Sequence, residues 1–114
     1  MEKLFRIKNT SGKTIYITMA NSMKEAVEKA VMQGASLRDA QLGGEDLEGG
    51  DFRNGDFKGA NFDQANLDWV DFFGATISFA SFVGATLDGA DLRNTEHRGG
   101  NYTNAYIDGA LFSE

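Results

Sequence analysis

Ala60-Asn61-Phe62-Asp63-Gln64-Ala65-Asn66-Leu67 and, further on, Gly84-Ala85-Thr86-Leu87-Asp88-Gly89-Ala90-Asp91-Leu92 decide the fold. In both runs a large apolar residue returns after five positions, and a small residue stands two places ahead of it. The beat continues outward in both directions: Leu37, Leu42, Leu47, Phe52, Phe57, Phe62, Leu67, Phe72, Ile77, Phe82, Leu87, Leu92, His97, Tyr102, Ile107 and Phe112. Only His97 in that series is neither apolar nor aromatic. The small residue is Ala at ten positions and Gly at three, with Glu45, Val70 and Thr95 as exceptions. A period of five is neither the 3.6 of a helix nor the 2 of a strand. It marks an internal repeat spanning Ala35 to Phe112.

These runs resemble the pentapeptide repeat proteins, whose motif is Ala-(Asp/Asn)-Leu-X-X. The spacing holds over sixteen consecutive units. The resemblance implies a mainly β fold, a right-handed quadrilateral β-helix solenoid of about four coils over residues 35–114. In that geometry each side takes one pentapeptide and each coil takes twenty residues.

Residues 1–34 read differently. Leu4 to Lys8 and Thr14 to Met19 have strand character, with Phe5 and Ile7 alternating with Arg6 and Lys8, and Ile15, Ile17 and Met19 with Thr14, Tyr16 and Thr18. Asn9-Thr10-Ser11-Gly12-Lys13 has the turn chemistry to join them as a β-hairpin. Ser22-Met23-Lys24-Glu25 reads as a capping box that opens one α-helix running to about Gln33. Met23, Ala26, Val27, Ala30 and Val31 share its apolar face, and Gly34 suits its C-terminal stop. A solenoid end exposes a layer of core side chains, so this ββα segment is expected to cap the first coil.

Charge is unevenly placed. Residues 1–34 hold six Lys/Arg against three Asp/Glu, whereas residues 35–114 hold five against fourteen. An acidic body argues against direct binding of nucleic acid or an anionic membrane. It suits a basic protein partner, the class expected here. No run is long enough to cross a membrane, and the first residues lack the apolar core of a secretion signal, so a cytoplasmic protein is expected. The chain has no Cys and no Pro, with fourteen Gly, which excludes disulfides and fits tight corners.

Counting in twenties sorts the surface. Glu48, Asp68, Asp88 and Asp108 follow the core residues of one side, and Asp51, Asp71 and Asp91 precede those of the next. Together they are expected to line one acidic edge as a partner-binding surface. Arg38, Lys58 and Arg98, with Ser78, mark the opposite corner as basic or neutral. Trp69, Phe73 and Phe79, together with Val83, stand in slots of surface type and are expected to form an aromatic partner-binding patch. Tyr102, Tyr106, Leu111 and Phe112 crowd an uncapped last coil, where an open edge invites a homodimer.

Catalysis has no visible basis. One His and no Cys assemble no nucleophile–His–acid set, so no catalytic residues, metal site or cofactor are expected. His97 is expected as a partly buried filler of the last coil. Carboxylates stacked in a row do not converge as Ca²⁺ ligands must. The leading expectation is an acidic DNA mimic that inhibits a bacterial nucleic-acid-binding protein or complex, in the manner of phage antagonists of CRISPR or restriction defence. Two alternatives stand beside it: a modulator of DNA gyrase, which the resemblance implies, and an interaction scaffold using the aromatic patch. Four coils span on the order of 19 Å, which replaces only about six base pairs of duplex.

Overall fold

The structure, a computed structural model, describes residues 1–113. An antiparallel hairpin of β1 (Lys3–Lys8) and β2 (Thr14–Ala20) leads into α1 (Met23–Met32). From Ser36 the backbone winds into a β-helix whose parallel bridges join residues twenty apart: Ser36 to Asp56, Gln41 to Asn61, Asp46 to Asn66, Asp51 to Asp71 and onward to Thr86 and Tyr106. At the far end the same pairing lengthens into β3 (Asp91–Leu92) and β4 (Leu111–Phe112). Since one turn takes twenty residues, it takes four pentapeptides, one to each side. The first side carries Leu37, Phe57, Ile77 and His97; the second Leu42, Phe62, Phe82 and Tyr102; the third Leu47, Leu67, Leu87 and Ile107; the fourth Phe52, Phe72, Leu92 and Phe112.

Corners explain the beat of five. The amide three residues after a core residue donates to that core residue's carbonyl, as Ala60 does to Phe57 at 2.9 Å. The residue between, two after the core position, has positive φ at every corner from Asp39 to Gly109. That combination is the signature of a type II turn. Glycine fits it freely, and Asn or Asp tolerate it. Trp69 (φ 61°) and Phe79 (φ 60°) do not, and each holds the left-handed region at a cost of about 1–2 kcal/mol.

Side chains and glycines alternate along three of the four corners, and along the one after the third side until Gly109 follows Gly89. Asp39 lies over Gly59, Asn54 over Gly74, Gln64 over Gly84, Trp69 over Gly89 and Phe79 over Gly99. In each pair a Cβ on the glycine would fall inside the side chain resting on it. The glycines are thus required by close approach as well as by φ.

The core is a column of rings and aliphatic chains. Phe62, Phe82 and Tyr102 stack nearly parallel, with centroids 5.1 and 5.0 Å apart. Phe72 meets Phe57, Phe62 and Phe82 edge-on and Phe52 at a tilt. Burial ends with the last covered layer. Leu92 is buried, whereas His97, Ile107 and Phe112 are exposed because no further coil among the described residues covers them. His97 is therefore not a buried filler: its slot points inward, but its coil is the end of the stack.

Residues 1–34 pack on the opposite end. The Gln41 amide donates to Lys8 O at 2.7 Å, the Thr10 amide to Asp39 O at 2.8 Å, and the Asp51 amide to the Glu28 carboxylate at 2.9 Å. Ala26, Val27, Ala30, Ile7 and Ala20 join one core with Leu37 and Leu42. At the helix start the Ser22 hydroxyl accepts from the Glu25 amide at 3.1 Å, while the Glu25 carboxylate accepts from the Asn21 side chain instead of closing the box on Ser22. The apolar set of β2 divides: Ile15 packs against the core, while Ile17 and Met19 do not. Phe5 and Ile7 turn inward, and antiparallel register puts Thr18 and Tyr16 opposite them on the same face. Ile17 and Met19 are left outside, opposite Arg6 and Leu4.

Candidate functional site

The polar residue before each core position has a local task. In Asp71, Asp91, Asn61, Asn66 and Asn101 the side-chain oxygen accepts the amide two residues on, at 2.8 to 3.1 Å. This Asx turn supports the corner that follows. It explains why Asp or Asn recurs there without reference to any partner.

The expected edge of seven carboxylates separates into two unlike faces. On the fourth side, Asp51 is bound by both Nε and Nη2 of Arg53 at 2.8 Å, and Arg53 also reaches Asp71 at 3.7 Å. Arg93 grips Asp91 in the same two-pronged way at 3.0 and 2.9 Å. Hydrogen bonds from these guanidinium groups hold the Asp51 and Asp91 carboxyls below the usual carboxylate value. Phe73 fills the position between the two arginines, with Arg93 over its ring at 5.7 Å. Three acids against two arginines leave this side close to neutral, so Asp51, Asp71 and Asp91 do not add to a shared acidic edge.

The third side stays acidic. Glu48, Asp68, Asp88 and Asp108 form one column, and Asp46, which the sequence reading passed over, stands beside Glu48. None of the five is salt-bridged to a Lys or Arg among the described residues. The column is also bonded to itself: the Asp88 amide donates to Asp68 Oδ1 and the Asp108 amide to Asp88 Oδ1, each at 2.9 Å. Each such carboxylate satisfies one amide of the next coil and offsets part of the repulsion between stacked charges.

The aromatic residues do not gather into a single patch. Trp69 (69% exposed) sits on the corner between the third and fourth sides, and Phe79 (55% exposed) on the corner between the first and second. Ten residues separate them, which is half a turn, so they face opposite ways. Phe73 lies on the fourth side among its arginines, and Val83 is half-buried on the second. Trp69 is the aromatic that borders the acidic face. At the open end Tyr106, Ile107, Leu111 and Phe112 are exposed and Tyr102 is partly buried, its hydroxyl without a partner.

No group of three or more His, Asp or Glu side chains among the described residues is placed to hold a metal ion. No helix among them is long and apolar enough to cross a membrane.

The model for pentapeptide repeats matches this chain in eight copies, over residues 40–78, 51–89 and 71–114. No curated protein matches it. Among solved structures it is similar to a pentapeptide repeat protein of the Arabidopsis thaliana thylakoid lumen, at 30% identity and a TM-score of 0.71. That alignment covers 76% of this chain and 59% of the other, so the chain spans little more than half of that relative's length. It is also similar to a pentapeptide repeat protein of Nostoc Pcc 7120, at 22% identity and a TM-score of 0.66, with 96% and 99% of the two chains covered. The second likeness speaks for the fold alone.

Proposed function

The chain belongs to the pentapeptide repeat family and takes its right-handed β-helix, and from that premise we propose that it is a non-enzymatic interaction protein whose third side binds a basic partner in place of duplex DNA. One observation carries the reading: Asp46, Glu48, Asp68, Asp88 and Asp108 stand on one flat side with no salt-bridged cation among the described residues, in a fold that neutralises the neighbouring side with Arg53 and Arg93. Column members repeat about every 4.8 Å along the axis, a spacing of the same order as phosphates along one DNA strand. The partner class is a basic nucleic-acid-binding protein or complex, and an antagonist of CRISPR or restriction machinery is the role that suits so short a mimic. A gyrase modulator is the longer-range alternative within this reading. Residues 1–34 act as the cap of the first coil, the open end at Tyr102, Tyr106, Leu111 and Phe112 pairs two copies, and the cytoplasm is the compartment assigned.

Trp69 favours a second contribution. A strained, exposed indole beside the carboxylates offers a stacking face for an arginine or lysine of the partner.

The test is capture from bacterial lysate on immobilised protein, eluted by salt and by a short DNA duplex. Glu48→Gln, Asp68→Asn, Asp88→Asn and Asp108→Asn remove charge, and at Asp68 and Asp88 they keep the oxygen that accepts the next coil's amide. Capture that duplex DNA displaces and the quadruple variant loses supports mimicry. Capture unchanged by the variant, or resistant to both salt and duplex, ends it. A supercoiling assay then reads gyrase separately.

A further inference from the structure

The first side bears a hollow that the acidic face does not explain. Its open volume is about 650 Å³, within the usual size of small-molecule sites. The floor is Thr76 and Ser78, short residues in the middle coil between longer ones above and below. Lys58 stands one coil before Ser78 and Arg98 one coil after, so the two cations straddle it with backbones about 9.6 Å apart. Phe79 closes one flank, its ring resting over Gly99 with Lys58 Nζ 5.9 Å from its centre.

Ser78 is the informative residue. At 8% exposure it is the one polar residue buried among those described, and its hydroxyl makes no hydrogen bond with any of them. Thr76 Oγ1 is likewise unpartnered. The Ser78 Oγ is not sealed off, since the Tyr102 hydroxyl is the one buried and unpartnered side-chain oxygen among the described residues, so the serine hydroxyl opens into the hollow as an available donor. The local charge has the matching sign. Asp56, the nearest acid in the preceding coil, is bound by Arg38 Nε at 2.9 Å. Glu96 is the remaining unpaired carboxylate, against the free cations Lys58 and Arg98.

We propose that this hollow is a binding site for a small oxyanion-bearing molecule, with a phosphate or carboxylate group over the Ser78 hydroxyl between Lys58 and Arg98. The anion gives Ser78 and Thr76 an acceptor for their O–H groups. Lys58 and Arg98 add charge-assisted hydrogen bonds from either side. The body of the molecule lies against Phe79, whose corner position keeps the ring flat over a glycine and open to solvent. The site faces away from the acidic third side, across the width of the solenoid, and is independent of what binds there.

The experiment is an amide chemical-shift titration of the full chain with inorganic phosphate, phenyl phosphate and benzoate. Saturable shifts confined to the amides of residues 56–58, 76–79 and 96–98 are expected, with phenyl phosphate tighter than inorganic phosphate. Benzoate matching phenyl phosphate assigns the site to carboxylates, and benzoate failing assigns it to phosphates. Ser78→Ala should weaken binding about tenfold, and Lys58→Gln with Arg98→Gln should abolish it. Arg53→Gln, on the fourth side, should leave it unchanged. The spectra themselves report whether each variant is folded. Shifts that scatter over all sides without saturating overturn the proposal, as does parental affinity in both the Ser78 and the Lys58/Arg98 variants.

Discussion

Phe72 and Phe112 occupy the same motif slot on the same side, two coils apart, and truncating each to Ala separates what the motif dictates from what the stack dictates. Phe72 is fully buried and touches four rings, with centroids 5.6 to 6.3 Å away. Phe72→Ala removes that burial and leaves a cavity that close-packed neighbours fill poorly, for a loss of about 4 kcal/mol. Phe112 is 44% exposed and meets one ring, Tyr102, at 6.4 Å. Phe112→Ala should therefore cost about 1 kcal/mol. At this chain length about 4 °C of melting temperature accompanies each kcal/mol, giving shifts of about 16 °C and about 4 °C. Thermal unfolding followed by far-UV circular dichroism at two protein concentrations measures both. Equal shifts for the two variants would refute the claim that burial in this fold is set by the coil above rather than by the motif. A Phe112 effect that grows with protein concentration would identify a second copy as what covers the end.

Other consequences are smaller and equally checkable. Asp88→Ala strands the Asp108 amide and should destabilise by about 1 kcal/mol in urea unfolding, while Asp88→Asn, which keeps the acceptor oxygen, should not. Arg93→Gln should cost stability at pH 7. Its partner Asp91 has a folded pKa depressed below the ordinary 3.8, so the ion pair contributes fully above that value and is lost as pH falls through the folded pKa. The difference between parent and variant should therefore shrink as pH falls below 3.8 in acid unfolding, and a difference that does not change with pH contradicts the pairing. Tyr102→Phe removes a buried, unpartnered hydroxyl and should leave stability unchanged or raise it by up to about 1 kcal/mol, read as melting temperature.

The path of the β-helix was legible because one apolar residue in five reports directly on which side chains point inward. Register in twenties came from the family resemblance, and the bridges from Ser36 to Tyr106 run at that spacing. Surface chemistry was legible only in part. Acids follow the core residues of the third side at Glu48, Asp68, Asp88 and Asp108, but the same position one side on holds Arg53 and Arg93, whose pairing with Asp51 and Asp91 depends on side-chain geometry. Asp46 was missed because it belongs to a column whose other members, Asn66, Thr86 and Tyr106, are uncharged. The hairpin misleads by alternation: Ile15, Ile17 and Met19 alternate as one face, but Ile15, beside the register shift at Ile7 and Lys8, packs on the core, whereas cross-strand register to Phe5 and Ile7 leaves Ile17 and Met19 outside. His97 shows the limit of any motif argument, since its exposure depends on being last. Ser78 gave no signal as a sequence position. Its place between Lys58 and Arg98 follows from counting in twenties, but its burial at 8% exposure does not.

The alternation of side chain and glycine along the corners gives the solenoid a parity. Asp39, Gly59, Phe79 and Gly99 follow one another at one corner, and Gly44, Gln64, Gly84 and Asn104 at the next, in opposite phase. Duplicating a single turn of twenty residues would set like upon like at a junction, a side chain against the Cβ of its copy at one corner and an unfilled gap at its neighbour. Duplicating two turns keeps the alternation at these corners. The natural unit of growth for this chain, whether by gene duplication or by design, is therefore forty residues, although the backbone repeats every twenty and the sequence every five.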